Sequence, residues 1–227
     1  LRSKPFTWPQ TEKKLLLAPG YVSASPDRLS KHFTPQAWHY IRADVDAAVK
    51  PDILTEDLRH LPALADASVD GVWMPHLLQL FSEGYARAVV AEMLRVLKET
   101  GEFLATVPDL QLAATYVARG EEGHVVYESG AGPIRPLDMI YGFQRGIARG
   151  ESQRQHRIGF TGESLGSWLS DQGFANVHVY RKPYDLIVWG KKLAYSHEER
   201  VDRIVLHAAT GARPEAPEAP TPPAAAA

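Results

Sequence analysis

The sequence predicts an α/β fold in which a mostly parallel β-sheet is flanked by helices. Short apolar runs of strand length alternate with longer segments whose apolar residues recur every three or four positions. The turns between them are short and rich in Gly, Pro and Asp. The strand-like runs are apolar at nearly every position, as expected of strands covered on both faces. Strands and helices that alternate in this way are typical of a parallel sheet.

Length and composition limit the function classes. The 227 residues suit one domain with short appendages, and 25 basic against 27 acidic residues give a net charge of −2. Global charge therefore does not indicate a nucleic acid partner. Because the chain has no cysteine, disulfides, thiol chemistry and thiolate metal sites are excluded. No apolar run approaches the roughly 18 residues that cross a bilayer, so we expect a cytoplasmic protein without a membrane partner.

The first elements follow a polar segment. Residues 1–13 contain two prolines, and we expect them to form an extended N-terminal arm. The apolar run Lys14–Ala18 predicts a first buried strand, which Pro19-Gly20 ends in a tight turn. A short helix is then expected to open at Pro26 and to end before Pro35.

Two further apolar runs, Tyr40–Ala43 and Val69–Met74, predict buried strands separated by acid-rich turns. Asp44, Asp46 and Asp57 lie where a parallel sheet would present the carboxyl ends of its strands. Nucleotide-like ligands bind at such ends, and an acid there can accept hydrogen bonds from ribose hydroxyls. The alternative is that these acids are solvated turn residues or caps.

A helix, a strand and a second helix follow. Apolar residues at three- and four-residue spacing predict a helix over Glu83–Lys98, and the Glu99-Thr100-Gly101 sequence is expected to end it. The run Glu102–Val107 predicts a strand. Asp109 can begin the next helix, which is expected to end near Gly120.

Residues 121–160 lack clear periodicity, which inside a compact domain is typical of a functional lid or an irregular insertion. Thr161 can cap a helix that ends at Gly173. Two closing strands and a last helix are expected over Val177–Tyr180, Leu186–Trp189 and residues 194–207. The domain would then span residues 14–207, followed by a disordered Ala- and Pro-rich tail over residues 208–227.

Several strings of residues occur in an order that resembles a known family. In chain order they are Asp44-Val45-Asp46, Pro51-Asp52-Ile53, Asp57-Leu58, Ala67-Ser68-Val69-Asp70, Leu94–Lys98 and Val107–Leu110, then Gly132-Pro133-Ile134, Pro136–Gly142 and His156–Thr161. Their order and spacing resemble the class I S-adenosylmethionine-dependent methyltransferases, above all a bacterial group described only as predicted methyltransferases. The resemblance covers residues 14–190. It implies a Rossmann-like class I methyltransferase fold with an irregular insertion before the last two strands.

The resemblance also implies a cofactor, S-adenosylmethionine, and residues that would bind it. Asp44 resembles the acid that binds the ribose hydroxyls, and Asp46 is its rival for that role. Asp57 resembles the acid that meets the adenine amino group, with the backbone of Leu58 beside it. Gly20 resembles the last glycine of the first-strand loop, where the backbone closely approaches the methionine part.

Two motifs depart from the family pattern. The sequence Ala18-Pro19-Gly20 stands where the family has Gly-x-Gly, so a methyl group is added and an amide donor is lost. The segment Pro75–Leu80 stands where the group has Ser-His-Asn-x-Glu-His, and it keeps only the first histidine. Two functions therefore compete: a methyltransferase acting on an oxygen or nitrogen acceptor, and a non-catalytic relative that serves as a binding or partner subunit.

The catalytic candidates are His76, His156 and Asp138. His76 follows a strand end, where a general base could reach an acceptor proton. The other two lie with Tyr127 and Tyr141 in the insertion that would cover the acceptor. The alternatives are a helix-capping or buried histidine and a loop held by its own polar contacts.

A run of arginines in the insertion, at positions 145, 149, 154 and 157, could meet an anionic group, although a solvated loop face is more common. No metal-ligand spacing is present among the histidines. The sequence does not identify the acceptor, and it leaves open a protein partner or a homo-oligomer.

Overall fold

The computed structural model describes residues 6–20 and 32–193 and the backbone of residues 205–207. The strands are β1 (Lys14–Pro19), β2 (Trp38–Asp44), β3 (Ile53–Leu54), β4 (Val69–Pro75), β5 (Leu97–Pro108), β6 (Tyr127–Ser129), β7 (Gly132–Ile134), β8 (Ala175–Arg181), β9 (Asp185–Lys191) and β10 (Val205–His207). The α-helices are α1 (Glu83–Val96), α2 (Leu110–Ala118), α3 (Pro136–Tyr141), α4 (Gln144–Ile147) and α5 (Gly162–Asp171). Strands and helices alternate from β4 to α2, as predicted.

One large sheet organises these elements in the order β10-β8-β9-β5-β4-β1-β2-β3. The five adjacent strands β3, β2, β1, β4 and β5 run parallel to one another. Strand β9 is antiparallel to both β5 and β8, and β10 pairs in parallel with β8. Because the order reverses at β1, the carboxyl ends of β1, β2 and β4 open onto one crevice. The prediction of a mostly parallel sheet is confirmed.

The main core lies between the sheet and helices α1 and α5. Strand β1 is fully buried at Leu16 and Leu17, which explains its unbroken apolar sequence. Helix α1 turns its predicted apolar stripe to the core, at Ala86, Val89, Val90, Met93 and Val96. Hydrophobic burial along this stripe positions α1 against the sheet.

A buried ion pair ties α1 to the connection that precedes β4. Glu92 accepts a hydrogen bond from the backbone N–H of Leu61 at 2.6 Å, and Arg95 donates to Glu92 at 2.7 Å. Arg95 also donates to the carbonyl oxygens of Leu61 and Leu64. Burial alone would raise the pKa of Glu92, but the hydrogen bonds from Arg95 and Leu61 outweigh it and lower this pKa.

The junction of α1 and β5 differs from the prediction. The helix ends at Val96, because Leu97 is already extended and pairs with Val69. The expected break at residues 99–101 lies inside β5, where the register shifts between Val69 and Gly71. Hydrogen bonds with Lys192 support this irregular stretch, since Thr100 donates to its carbonyl oxygen at 2.8 Å. Helical periodicity in the sequence could not show that Leu97 and Lys98 would pair with β4 as part of a strand.

The insertion over residues 121–160 contains short elements in place of long ones. Strands β6 and β7 form a hairpin, and α3, α4 and a 3-10 helix over Ser152–Arg154 follow. None of these helices exceeds six residues, so no periodicity could have shown them. Helix α5 begins after Thr161, whose hydroxyl accepts from the N–H of Ser164 as a cap, as predicted.

The ends of the chain are described only in part. Residues 6–13 contain no helix or strand, and Phe6 packs against the main core. The last helix predicted over residues 194–207 is wrong at residues 205–207, which form β10 because they pair with β8. The short helix expected at Pro26, residues 194–204 and the tail 208–227 lie outside the described residues. Among the helices that the structure describes, none is long and apolar enough to cross a membrane.

The turn at Gly101 gives a stability prediction. A Cβ atom there would lie 2.7 Å from the carbonyl oxygen of Lys98 and 2.9 Å from Leu97 Cδ2. Gly101→Ala should therefore lower the free energy of unfolding by about 1–3 kcal/mol, measured by urea denaturation. Gly123→Ala is the matched control, since a Cβ there meets nothing within 4 Å, and its effect should stay within about 0.5 kcal/mol. Equal effects of the two substitutions would contradict the steric explanation.

Candidate functional site

The carboxyl ends of β1, β2 and β3 bring the predicted cofactor residues to one edge of the sheet. The backbone N–H of Gly20 donates to the carbonyl oxygen of Ala43 at 2.8 Å. The N–H of Thr55 donates to the carbonyl oxygen of Asp44 at 3.0 Å. Gly20, Asp44 and the turn that contains Asp57 therefore border the same crevice, as expected for consecutive parallel strands.

Gly20 has a left-handed backbone, with φ of +62°, and it packs against Leu77. A Cβ atom at Gly20 would lie 2.8 Å from Leu77 Cδ1, so both the backbone conformation and the lack of space require glycine. Leu77 is only 8% exposed. It belongs to the segment 75–80 that departs from the family pattern, and it fills the space on this side of Gly20. Tyr21 lies outside the described residues.

Asp44 and Asp46 differ in environment although they are two residues apart. Asp44 is 7% exposed, and its Oδ1 accepts from the backbone N–H of Asp46 at 3.0 Å. Within the described ranges, no cationic side chain forms an ion pair with Asp44. Asp46 is exposed, and its Oδ1 caps the 3-10 helix Ala47–Val49 by accepting from Ala48 at 2.8 Å. Of the two acids, Asp44 is the buried one, and its Oδ2 has no hydrogen-bond partner among the described residues.

Asp57 already has several hydrogen-bond donors. Arg59 donates to it through its backbone N–H at 2.8 Å, through Nε at 2.8 and 3.0 Å, and through Nη2 at 2.6 Å. The hydroxyl of Tyr85 adds a hydrogen bond to Oδ1 at 2.8 Å. These bonds, above all those from the Arg59 side chain, hold the pKa of Asp57 well below its usual range. An adenine amino group would have to displace a donor to reach this carboxylate.

Leu58 is buried in the main core, so only its backbone can face a ligand. Burial raises the pKa of the Tyr85 hydroxyl, and the hydrogen bond to Asp57 adds to this. The backbone amide of Leu58 acts in the opposite direction. Both predicted adenine contacts therefore converge on Tyr85, a residue that the sequence did not single out. Its position at the third residue of α1 carries no such signal.

His76 directly follows β4 and has a left-handed backbone conformation, with φ of +49°. Its N–H donates to the carbonyl oxygen of Thr106 at 2.9 Å and faces Oγ1 of Thr106 at 3.2 Å. The ring Nε2 lies 3.5 Å from Asp185 Oδ2. The other oxygen, Asp185 Oδ1, is buried without a hydrogen-bond partner among the described residues. Strain in a non-glycine residue at a strand end is typical of functional positions.

His156 approaches the same edge from the insertion. Its Nδ1 lies 2.9 Å from the carbonyl oxygen of Met139, which assigns the proton of the neutral ring to Nδ1 and leaves Nε2 as an acceptor. Burial lowers the pKa of His156, and the nearby His76 acts in the same direction. His156 also lines a cavity of about 10 Å³ with Gln79 and Met139, which is room for about one water molecule.

The remaining insertion candidates hold the insertion in shape. Asp138 accepts from the N–H of Arg135 at 2.9 Å and from that of Gln144 at 2.8 Å, so both its oxygens cap local backbone. Tyr127 stacks on Tyr184 with ring centroids 4.4 Å apart and so joins the insertion to the turn before β9. Tyr141 is exposed. These contacts are the structural alternative that the sequence left open.

The four arginines of the insertion do not form a single patch of unpaired positive charge. Arg149 and Arg154 both pair with Glu151, while Arg145 and Arg157 lie on either side of them in the chain. Within residues 6–20 and 32–193, no group of three His, Asp or Glu side chains is arranged to hold a metal ion.

Comparison with known proteins agrees with this geometry. Residues 28–105, which include most of the sheet from β2 to β5, match the family model described as a methyltransferase domain. The match covers 78 of the 227 residues and contains Asp44, Asp57 and His76. No curated protein sequence matches the chain.

Solved structures show the same methyltransferase fold. A SAM-dependent methyltransferase from Archaeoglobus fulgidus is 12% identical, with a TM-score of 0.53, over 80% of this chain and 87% of that one. One from Methanosarcina mazei is 16% identical, with a TM-score of 0.52, over 82% and 95%. The CurJ carbon methyltransferase is 14% identical, with a TM-score of 0.51, over 82% of this chain. The chain spans about half the length of that protein, 50%.

The low pKa of His156 predicts a pH dependence of stability. An unfolded histidine binds a proton near pH 6.5, whereas folded His156 stays neutral to lower pH. The unfolded state therefore binds more protons on acidification, and stability falls as the pH drops below about 6.5. His156→Asn, which keeps a donor for Met139, should lose less stability between pH 7.5 and 5.5 in urea denaturation. His124→Asn, at an exposed histidine, is the control. Equal losses in wild type and His156→Asn would contradict the assignment.

Proposed function

We propose that this chain is a methyltransferase that binds S-adenosylmethionine at the carboxyl ends of β1, β2 and β3. One observation carries the proposal: the buried carboxylate of Asp44, beside the left-handed Gly20, has an oxygen without a hydrogen-bond partner among the residues that the structure describes. A buried carboxylate without a cationic partner is unfavourable unless donors reach it. Two neighbouring ribose hydroxyls are donors of the required kind.

The residues fit the cofactor unequally along its length. At the ribose, Asp44 provides acceptor oxygens. At the methionine part, Gly20 offers backbone without a side chain, although Leu77 packs against it. At the adenine, Asp57 and Leu58 supply an acceptor and a donor that Tyr85 now engages. Asp46 caps its own turn and is the weaker choice for the ribose role.

The acceptor would be an oxygen or nitrogen nucleophile held beneath the insertion. When bound, S-adenosylmethionine supplies a methyl group on a sulfonium sulfur: the carbon–sulfur bond breaks as a bond to the nucleophile forms, and the acceptor releases a proton. His76 would accept that proton at the end of β4. Asp185, 3.5 Å from its Nε2, stabilises the imidazolium that forms. His156, held neutral by burial, lies beside His76 as a second acceptor.

The insertion would position the acceptor and exclude water. Asp138 caps α3 and α4, and the Tyr127–Tyr184 stack fixes the hairpin against the sheet, so the cover over His76 is pre-formed. We assign Asp138 a positioning role on this basis. We further propose a cytoplasmic location, an acceptor other than nucleic acid, and room for a protein partner or a second copy of the chain.

Calorimetry with S-adenosylhomocysteine tests the cofactor assignment. Asp44→Asn keeps the shape of the side chain but removes its charge, and it should weaken binding about tenfold or more. Asp46→Asn is the matched control, because asparagine caps equally well, and its affinity should stay within about twofold of wild type. If only the Asp46 variant weakens binding, the acid is misassigned. No binding to wild type at millimolar ligand would reject the proposal and favour a non-catalytic subunit.

The role of His76 is tested with His76→Asn, since asparagine tolerates the left-handed backbone. Affinity for S-adenosylhomocysteine should stay within about threefold of wild type. Methyl transfer to an alcohol or amine acceptor found by screening should fall about a hundredfold or more. The acidic limb of the kcat/KM profile against pH should also disappear. Unchanged turnover, or loss of cofactor binding in parallel with turnover, would show that His76 is not the base.

A further inference from the structure

Tyr85 occupies the carboxylate that would recognise adenine. Its hydroxyl donates to Asp57 Oδ1 at 2.8 Å, and the backbone amide of Leu58 acts to lower the pKa of this hydroxyl. We propose that Tyr85 stands in for the polar edge of adenine in the cofactor-free chain and thereby limits cofactor affinity. This inference rests on the proposed function, since it concerns the same site.

The donor and acceptor polarity of the hydroxyl matches that of adenine. The exocyclic amino group of adenine donates a hydrogen bond, and the adjacent ring nitrogen N1 accepts one. A hydroxyl can do both with a single oxygen. Because burial and Asp57 raise the pKa of Tyr85, its hydroxyl stays protonated and donates to the carboxylate, as the adenine amino group would. The protein therefore satisfies its own adenine-recognition carboxylate with a donor of the same polarity.

Asp57 has no room for an additional donor. An ionised carboxylate offers about four lone-pair sites, and the backbone, Nε and Nη2 of Arg59 with the Tyr85 hydroxyl already address both oxygens. The Arg59 bonds are made within one turn of chain and close a tight local ring. Tyr85 comes from 28 residues away in sequence. Rotation of the Tyr85 side chain would remove its hydrogen bond without breaking those of Arg59.

The ring of Tyr85 packs against two planar groups. The guanidinium of Arg59 lies 4.7 Å from its centroid, and the ring of Phe81 lies 4.8 Å away. A guanidinium that covers one aromatic ring can cover another. Arg59 can therefore keep its bonds to Asp57 while the ring beneath it is exchanged. Displacement of Tyr85 would leave a donor–acceptor pair and a stacking cation in place for a purine.

Calorimetry of the full chain separates the hydroxyl from the ring. Tyr85→Phe keeps the aromatic packing but frees the carboxylate site and the Leu58 amide, and it should tighten S-adenosylhomocysteine binding about tenfold. Adding Asp57→Asn to Tyr85→Phe should abolish most of this gain. Tyr116→Phe is the control, because Tyr116 is also half-buried on a helix and stacks on His124 away from Asp57. Its affinity should equal that of wild type.

A second ligand makes the test specific for the base. S-inosylhomocysteine carries a carbonyl oxygen and a ring N–H where adenine has its amino group and N1, so its polarity is reversed. The gain from Tyr85→Phe should be absent with this ligand, because a carbonyl oxygen cannot donate to Asp57. Thermal unfolding of each variant checks that the fold is kept.

The outcomes distinguish this inference from the proposed function. If wild type binds S-adenosylhomocysteine and Tyr85→Phe binds equally or more weakly, the inference is overturned and the function stands. If binding appears only in Tyr85→Phe, the proposed function is rejected for the wild-type chain, and the inference that Tyr85 limits cofactor affinity is supported. If neither binds, both the proposed function and the inference fail. An equal gain with S-inosylhomocysteine would mean that Tyr85 obstructs only by its volume, which also overturns the inference.

Discussion

The buried pair of Glu92 and Arg95 fixes the adenine-side turn against helix α1, and the candidate cofactor site depends on it. Glu92 holds the amide of Leu61, and Arg95 holds the carbonyl oxygens of Leu61 and Leu64. Breaking such a pair by removing one partner leaves an uncompensated charge in the interior. The connection from β3 to β4 therefore cannot drift relative to α1. This rigidity keeps Tyr85, on the first turn of α1, in register with Asp57.

The segment from His76 to Tyr85 links the two halves of the site. At one end it presents His76 to the acceptor side and Leu77 to Gly20. In its middle, the carbonyl oxygen of Gln79 accepts from the N–H of Arg157 at 2.7 Å, which joins the segment to the insertion. At the other end, the hydroxyl of Tyr85 donates to Asp57, the acid predicted to meet adenine. A ligand that displaced the segment from His76 to Tyr85 would also displace the insertion, because hydrogen bonds connect the two.

Much of the fold could be predicted because its signals are local. Burial gave β1 and β4 apolar runs, at Leu15–Ala18 and Val72–Met74, and the spacing of core residues gave α1 and α5 helical periodicity. The ends of elements were less accessible. Leu97 and Lys98 continue the periodicity of α1, yet pairing with β4 places them in β5. Residues 205–207 became a strand for the same reason, since an edge partner decides the outcome for a short segment.

The candidate site was predictable in its acids but not in their neighbours. Asp44 and Asp57 follow strands, so their place at the sheet edge could be derived from topology. Their partners come from distant positions: Tyr85 reaches Asp57 across 28 residues, and Asp185 reaches His76 from the antiparallel strand β9. Sequence spacing carries no trace of such contacts. The difference in burial between Asp44 and Asp46 likewise depends on how the turn folds back, which two adjacent acids cannot reveal.

The side chain of Leu77 occupies the space next to Gly20, and this restricts the residues that can replace either one. A larger residue at position 20 would require a smaller one at position 77, and the reverse also holds, since a Cβ at Gly20 would lie 2.8 Å from Leu77 Cδ1. Residues in direct contact do not change independently. Leu77, in the segment that departs from the family pattern after β4, thus packs against the glycine that the first-strand loop retains. A substitution at either position is expected to need an adjustment of the other side chain.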